Sequence, residues 1–125
     1  MKTVILISIL AFIFGSAYSQ TGSQNQTIAV EFKVLGECGM CKTRIEKAAK
    51  LEGVTSAVWD QKTKMLKVKY RPSIVKVEAI HKSIAKAGHD TEKEKADDAV
   101  YNKLPACCKY ERNLNHQGHN LPACC

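Results

Sequence analysis

The sequence lacks the residue sets on which most enzymes depend. It contains no arrangement of serine, histidine and aspartate typical of a hydrolase, no pair of carboxylates placed for acid–base work, and no glycine-rich phosphate-binding loop. We therefore expect no catalytic activity from these classes. Any chemistry of this chain has to come from another set of residues.

Aromatic residues are scarce, at 6% of the chain, and they do not alternate with the basic residues. The formal net charge of +7 would otherwise suggest nucleic-acid binding, but a basic chain without interleaved aromatics gives that interpretation little support. We expect the charge to maintain solubility. It can also steer an acidic partner protein toward the surface.

Long apolar runs are absent after the N-terminus. Val4 to Gly15 is apolar over about a dozen residues, which is shorter than the roughly 20 that a membrane-spanning helix needs. Lys2 precedes this run, and Ala17-Tyr18-Ser19 follows with small residues at the positions that a signal peptidase recognises. Residues 1–19 are therefore predicted to be a signal peptide. The mature chain would be exported, to the periplasm in a bacterium and otherwise by secretion, without membrane insertion after cleavage.

Cysteine is the reactive residue type that stands out, with six in the predicted mature chain: Cys38, Cys41, Cys107, Cys108, Cys124 and Cys125. An even number in a small exported protein first suggests disulfides. The spacing argues against a simple framework, because adjacent cysteines seldom bridge to each other. The two adjacent pairs fit metal ligation and fit disulfides between the pairs equally well.

The periodicity of apolar residues predicts an alternation of strands and helices after a flexible leader at 20–26. The predicted elements are a strand at 28–34, a helix from Cys41 to Leu51 ended by Gly53, strands at 54–59 and 66–70, a helix capped by Ser73, and a short strand at 89–92. This order is the ferredoxin-like βαββαβ sandwich of the α+β class. Thr91 and Glu94 also resemble a capping box that opens a C-terminal helix with Ala96, Val100 and Leu104 on its apolar face.

The C-terminal tail repeats one motif. Leu104-Pro105-Ala106-Cys107-Cys108 recurs as Leu121-Pro122-Ala123-Cys124-Cys125, with His116 and His119 between the copies. The predicted division of the chain is therefore a domain at 27–92 and a helix with a cysteine-rich tail at 93–125. The four tail cysteines are candidates for a second soft-metal site.

Cys38 and Cys41 are the main candidate ligands. A C-x-x-C pair on a loop that runs into a helix can turn both sulfurs toward one point, and the free N–H groups at the helix start stabilise thiolate. Thiolates select soft ions, of which Cu(I) tolerates two ligands whereas structural zinc prefers four. The pair therefore predicts a Cu(I) site, and Hg(II), Zn(II) and Cd(II) share the preference for sulfur.

Residues 27–92 resemble the heavy-metal-associated domain of copper chaperones, copper-transporting ATPases and the periplasmic mercury-binding protein. The matching motifs are Gly36-Glu37-Cys38-Gly39-Met40-Cys41, Leu51-Glu52-Gly53-Val54 and Ile84-Ala85-Lys86-Ala87-Gly88-His89-Asp90. The resemblance implies the ferredoxin-like fold, ligation by Cys38 and Cys41, and transfer of the ion between thiol sites. The family usually places Met two residues before the first cysteine, where this chain has Gly36, and we expect Leu35 to take its supporting role.

His89 and a basic helix face extend this interpretation. In the ferredoxin-like order the loop after the second helix lies at the same end of the sheet as the C-x-x-C loop, so His89 is a candidate additional ligand or hydrogen-bond donor. The alternative is a packing role, since a lone histidine is more often structural. Lys42, Arg44 and Lys47 form either a docking surface for an acidic-faced metal transporter or acceptor, or an ordinary solvated face.

Two alternative functions remain open at this stage. A thiol-disulfide oxidoreductase of thioredoxin type also has C-x-x-C at a helix start, although the motif here contains no Trp or Pro and no proline follows that could lie beside it. A purely structural disulfide between Cys38 and Cys41 is the second alternative in an oxidising compartment. Three minor residues are expected in ordinary roles, with His81 solvated on its helix and Met65 and Trp59 packing on strands.

Overall fold

A computed structural model of the chain describes residues 26–113. Predictions for residues 1–25, which include the signal peptide and nearly all of the leader, lie outside this range. So do those for His116, His119, Cys124 and Cys125. The division of the chain at residues 27, 92 and 93 stays a prediction.

The described elements follow the predicted order. They are β1 (Ile28–Lys33), α1 (Gly39–Ala49), β2 (Val54–Trp59), β3 (Met65–Tyr70), α2 (Val77–Lys86), α3 (Asp98–Asn102) and a short 3-10 turn, η1 (Ala106–Cys108). No helix among the residues described has the length and apolar composition needed to cross a bilayer.

The sheet is antiparallel, with β3 in the centre and the order β1-β3-β2. Val30 pairs with Val68 and Phe32 with Leu66, while Trp59 pairs with Leu66 from the other side. Alternate residues of these strands therefore face the helices, and they meet Ile45 of α1 and the buried face of α2 in one apolar core. The fold is ferredoxin-like, as predicted.

The predicted fourth strand is wrong in extent. It is reduced to one antiparallel bridge between Val34 and Thr91, flanked by hydrogen bonds from Leu35 N to Asp90 O and from Glu92 N to Lys33 O. The Thr91 hydroxyl accepts a hydrogen bond from the Glu94 backbone at 2.9 Å, which turns the chain away from the sheet. The strand position beside β1 is kept, but pairing stops after this contact.

The C-terminal helix that was predicted to begin at Thr91 is also wrong, because of the same turn. Thr91 and Glu94 close a turn instead of opening a helix, because Thr91 N donates to Glu94 O at 2.8 Å. The helix that follows is α3, with five residues, and its N-cap is Asp97, whose side chain accepts from Ala99 N. Ala96 and Leu104, expected on one helix face, are both buried but lie outside α3.

Helix boundaries also differ from the predictions. α1 begins at Gly39 with Cys38 as N-cap and ends at Ala49, so Gly53, at φ +91°, lies in the following turn. α2 begins at Val77 because residues 71–75 form a turn in which Ile74 N and Val75 N both donate to Arg71 O. Ile74, expected on the apolar stripe of α2, is 45% exposed.

Candidate metal centre

The C-x-x-C pair lies at the end of the loop that connects β1 to α1 and in the first turn of α1. Cys38 is the N-cap residue in extended conformation, and Lys42 N donates to its carbonyl at 3.1 Å to close the first helical turn. Cys41 is fully buried in that turn, whereas Cys38 is half-buried and Met40 is 54% exposed. The helix start thus orients one thiol inward and leaves the other accessible.

The loop before the pair is held from several sides. Lys64 Nζ donates to Gly36 O and forms an ion pair with Glu37 at 3.2 Å. Gln61 Nε2 donates to Glu37 O at 2.7 Å. These contacts tie the loop to the β2–β3 hairpin and fix where Cys38 can lie.

The two sulfurs are close and receive hydrogen bonds. Cys38 Sγ and Cys41 Sγ are 3.5 Å apart, which is hydrogen-bonding distance and far longer than a disulfide bond, and both cysteines are free thiols. Glu37 N donates to Cys41 Sγ at 3.4 Å. The backbone therefore supplies a donor to a sulfur where negative charge has to be stabilised.

The electrostatics favour thiolate at Cys38. A hydrogen bond from the backbone N–H of Cys41 lowers the pKa of Cys38 to about 7, with further lowering by the neighbouring thiols of Cys41 and Cys108 and opposition from burial. A large part of Cys38 is thus ionised at neutral pH. Thiolate is the form in which cysteine binds soft metals and reacts as a nucleophile.

A third sulfur joins this pair. Cys108, at the end of η1, is fully buried, and its Sγ lies 3.6 Å from Cys38 Sγ. The sulfurs of Cys38, Cys41 and Cys108 all lie within 4.8 Å of one another. Burial raises the pKa of the Cys108 thiol, so this group is protonated at neutral pH when no ion is present. The sequence assigned Cys108 to a separate second site, and the structure brings it to the first pair.

Cys107 lies beside the cluster without being part of it. Its side chain is exposed, and its thiol donates to the sulfur of Met40 at 3.7 Å. The second half of the tail motif, with Cys124 and Cys125, lies outside the described residues. A site made by both copies of the motif therefore stays a prediction.

His89 is placed at the same end of the sheet but makes other contacts. Its Nδ1 donates to Leu35 O at 2.9 Å, and its ring stacks on that of Tyr110 with centroids 5.7 Å apart. Burial lowers its pKa, so the imidazole is neutral, and within residues 26–113 its Nε2 has no hydrogen-bond partner. His89 is not a member of the three-sulfur cluster.

The donor set fits a soft ion. Three thiol sulfurs converge without a carboxylate or imidazole in the cluster, and sulfur donors select Cu(I) and similar ions over hard ones. The cluster offers fewer than the four ligands of a closed structural zinc site. The geometry therefore suits an ion that accepts a low coordination number.

The position of Cys108 beside the C-x-x-C pair has no local signature in the sequence. It is separated from Cys38 by 70 positions, and the repeated Leu-Pro-Ala-Cys-Cys motif pointed to a partner copy instead of the C-x-x-C loop. The sequence offered only a chemical indication, namely that every cysteine of the chain prefers the same soft ions as the C-x-x-C pair.

One region of the chain matches a known protein family. The sequence model of the heavy-metal-associated domain matches residues 37–90. No curated protein sequence matches the chain. The matched region contains Cys38, Cys41 and His89 but ends before Cys108.

Solved structures with similar folds include the CopZ metallochaperone, at 32% identity and TM-score 0.50, covering 51% of this chain and 98% of that one. The N-terminal domain of a potential copper-translocating P-type ATPase from Bacillus subtilis, in its Cu(I)-loaded state, has 28% identity and TM-score 0.51, with 60% and 96% covered. Oxidized MerP from Ralstonia metallidurans CH34 has 28% identity and TM-score 0.50, with 53% and 94% covered.

Proposed function

Because the chain belongs to the heavy-metal-associated domain family, we propose that it is an exported Cu(I) chaperone or scavenger that binds the ion through Cys38 and Cys41. The ion is the cargo of the protein, and no catalytic step is needed. The observation that carries the proposal is the convergence of two free sulfurs, 3.5 Å apart, at the start of α1.

The choice of Cu(I) rests on ligand chemistry and on the relatives. The half-buried thiolate of Cys38 beside the buried thiol of Cys41 suits an ion that can be bound by few sulfur ligands. One of the similar structures is named a metallochaperone. Another is the Cu(I)-loaded N-terminal domain of a potential copper-translocating P-type ATPase. Hg(II), Zn(II) and Cd(II) remain competing candidates because thiolates also bind these soft ions.

Export is proposed from the N-terminal sequence. Residues 1–19 have the charge, apolar length and small residues of a cleaved signal peptide. Outside the cytosol the thiols face oxidation, which would remove the metal site by joining Cys38 and Cys41. Binding of Cu(I) would protect the pair, since a ligated thiolate is no longer free to attack a second sulfur.

An acidic-faced transporter or acceptor protein is the proposed partner. Lys47, in the last turn of α1, is exposed, and Arg44, in the middle of the helix, is half-buried. Lys42 contributes less, because it forms an ion pair with Glu46 and donates to Trp59 O at 2.7 Å. We therefore assign the docking charge to Arg44 and Lys47, where complementary charge would speed encounter.

A thiol-disulfide oxidoreductase is the alternative, and one observation favours it. The pKa of Cys38, at about 7, would give a reactive thiolate near neutral pH. The β1-β3-β2 antiparallel sheet and the match to a metal-binding family argue for the first proposal. Insulin reduction by the chain discriminates between them, and we expect no activity above that of the Cys38→Ser variant.

The proposal is tested by a Cu(I) competition titration against a colorimetric chelator, performed without oxygen. We expect the full chain to take one equivalent of Cu(I), and Cys38→Ser to bind at least about tenfold more weakly, as even outer-shell losses typically cost that much. Thr43→Ser, an exposed change on the same helix, serves as the control. Equal affinity of Cys38→Ser and the parent would contradict the proposal.

A further inference from the structure

Cys108 occupies a position that the family match does not include, since the match ends at residue 90. We propose that the C-terminal tail supplies Cys108 as a third thiolate ligand, so that the ion is held by Cys38, Cys41 and Cys108. This inference rests on the proposed function and adds a residue and a consequence to it.

The sulfur separations fit one ion. For a metal–sulfur distance of about 2.3 Å, three thiolates around a single ion lie about 4 Å from one another. The sulfurs of the cluster are separated by 3.5 Å between Cys38 and Cys41 and by 3.6 Å between Cys38 and Cys108, and all lie within 4.8 Å. Small side-chain rotations suffice to reach the ligand arrangement.

The tail is built to hold Cys108 there. Cys108 N donates to Pro105 O at 2.8 Å, which closes η1, and the fixed backbone of Pro105 starts that turn. Leu104 packs over Gly88, where a methyl group would lie 3.0 Å from its side chain. The chain before the cysteine is therefore fixed to the domain through Leu104.

A polar network fixes the chain after Cys108. The Tyr110 hydroxyl donates to Gly88 O at 2.8 Å and accepts from Asp90 N at 2.7 Å. Arg112 forms a two-pronged ion pair with Asp90, with Nε and Nη2 each 2.7 Å from a carboxylate oxygen. We call residues 104–112, anchored in this way, the tail strap.

The plain alternative is that Cys108 is a small buried apolar residue, as free cysteines often are. Two features speak for ligation. Its sulfur lies against another sulfur instead of against hydrocarbon alone, and the adjacent Cys107 is exposed while Cys108 is the member of the pair that turns toward the C-x-x-C loop.

A third ligand from the tail strap has a functional consequence. Cys108 of the strap lies 3.6 Å from the sulfur of Cys38, the more accessible thiol of the pair. If it ligates the ion, exchange with the thiols of an acceptor would require Cys108 to leave. The ion would be bound more tightly and released more slowly than from a two-thiol site. The proposal therefore favours retention of Cu(I) over rapid delivery.

X-ray absorption of the Cu(I)-loaded full chain tests the proposal, in a background where Cys124→Ser and Cys125→Ser remove the tail thiols outside the described residues. We expect three sulfur neighbours in this parent, three in the adjacent Cys107→Ser variant and two in Cys108→Ser. Release to a competing chelator should be at least about tenfold faster from Cys108→Ser than from Cys107→Ser.

The outcomes separate this inference from the proposed function. Two sulfur neighbours in the parent, with Cys108→Ser unchanged in affinity and release, would make Cys108 a packing residue and leave the C-x-x-C site intact. Failure of the parent to bind Cu(I) would overturn both. If Cys108→Ser does not fold, as judged by circular dichroism, Cys108→Ala replaces it, and the sulfur count of the parent decides in either case.

Discussion

Gly36 illustrates how single residues shape the site. A side chain at this position would lie 3.0 Å from Cys41 Cβ and 3.2 Å from both Ile45 and Trp59, so the absence of a Cβ lets the loop pass directly over the start of α1. The indole N–H of Trp59 donates to Val34 O at 3.1 Å and holds the incoming chain. The loop therefore packs closely against both Trp59 and the first turn of α1, which contains the buried Cys41.

His81, predicted to be solvated, is a residue at which the sequence-based prediction was wrong. Its side chain is 1% exposed, its Nδ1 is hydrogen-bonded to Thr91 Oγ1 at 2.8 Å, and its ring centroid lies 3.9 Å from that of Phe32. Helical periodicity placed it beside the apolar stripe. The segment after α2, which turns at Thr91, covers this side of the helix. No local sequence pattern predicts that coverage.

Burial of His81 makes stability depend on pH. Its pKa falls from 6.5 to about 4, chiefly through burial and also through Lys93, against opposition from Glu92 and Glu78. Above pH 6.5 the imidazole is neutral in both states, so its contribution is fully present there. Between pH 6.5 and 4 only the unfolded chain takes up the proton, and the free energy of unfolding falls.

The test compares the parent with His81→Gln, which keeps a hydrogen-bonding side chain but does not titrate. Urea unfolding at pH 7.0, 5.5 and 4.5 should show the parent losing its stability advantage over the variant as the pH falls. Because both proteins share every carboxylate, the difference between them isolates the histidine. A stability difference that is constant across this range would contradict the account.

At the scale of elements, the three strands of the sheet and the presence of the two long helices were predictable, whereas the fourth strand and the tail were not. β2 has the predicted bounds and β1 and β3 differ from theirs by one residue, because alternation of apolar residues is a local property. The tail strap depends on contacts such as Tyr110 to Gly88 and Arg112 to Asp90, each 22 positions apart. Contacts between residues so far apart produce no periodic pattern in the sequence. Thr91-x-x-Glu94 was wrongly predicted to begin a helix because the hydrogen bond from Glu94 N to the Thr91 side chain, typical of a capping box, also forms in a turn.

The Asp90–Arg112 ion pair should govern attachment of the tail strap. Asp90 is 2% exposed and Arg112 is 16% exposed, so removing the guanidinium leaves a buried carboxylate without its main charge partner. We expect Arg112→Met to lower the free energy of unfolding by about 3 kcal/mol, the low end for breaking a buried pair.

Asp98→Asn is the matched control, since Asp98 pairs with the same guanidinium but is 75% exposed. Chemical denaturation should give it a loss below about 1 kcal/mol, as for surface pairs. Equal losses for Arg112→Met and Asp98→Asn would show that the buried pair does not anchor the strap.

For the whole molecule, charge placement predicts how the ion is handed over. Reversing Arg44 and Lys47 to Glu should slow Cu(I) transfer to an acidic two-cysteine heavy-metal-associated domain at low salt, with little change in Cu(I) affinity. The effect should fade as salt screens the charges. Stopped-flow transfer rates across ionic strength measure this.

Reversing Lys82 and Lys86, which lie on the exposed face of α2, to Glu changes the net charge by the same amount and is the control for net charge alone. Transfer that is slowed equally by this double reversal on α2 and by the double reversal on α1 would assign the effect to overall charge. Rates independent of both changes would leave Arg44 and Lys47 as an ordinary solvated face.

Native mass spectrometry of the chain, purified without oxygen from the compartment to which we propose it is exported, tests the central claim most directly because it records metal and disulfides in one mass. We predict one Cu(I) per chain, with Cys38 and Cys41 carrying no disulfide, and loss of the ion in Cys38→Ser. A metal-free chain in which Cys38 and Cys41 are joined by a disulfide would contradict the claim that this protein is a copper carrier.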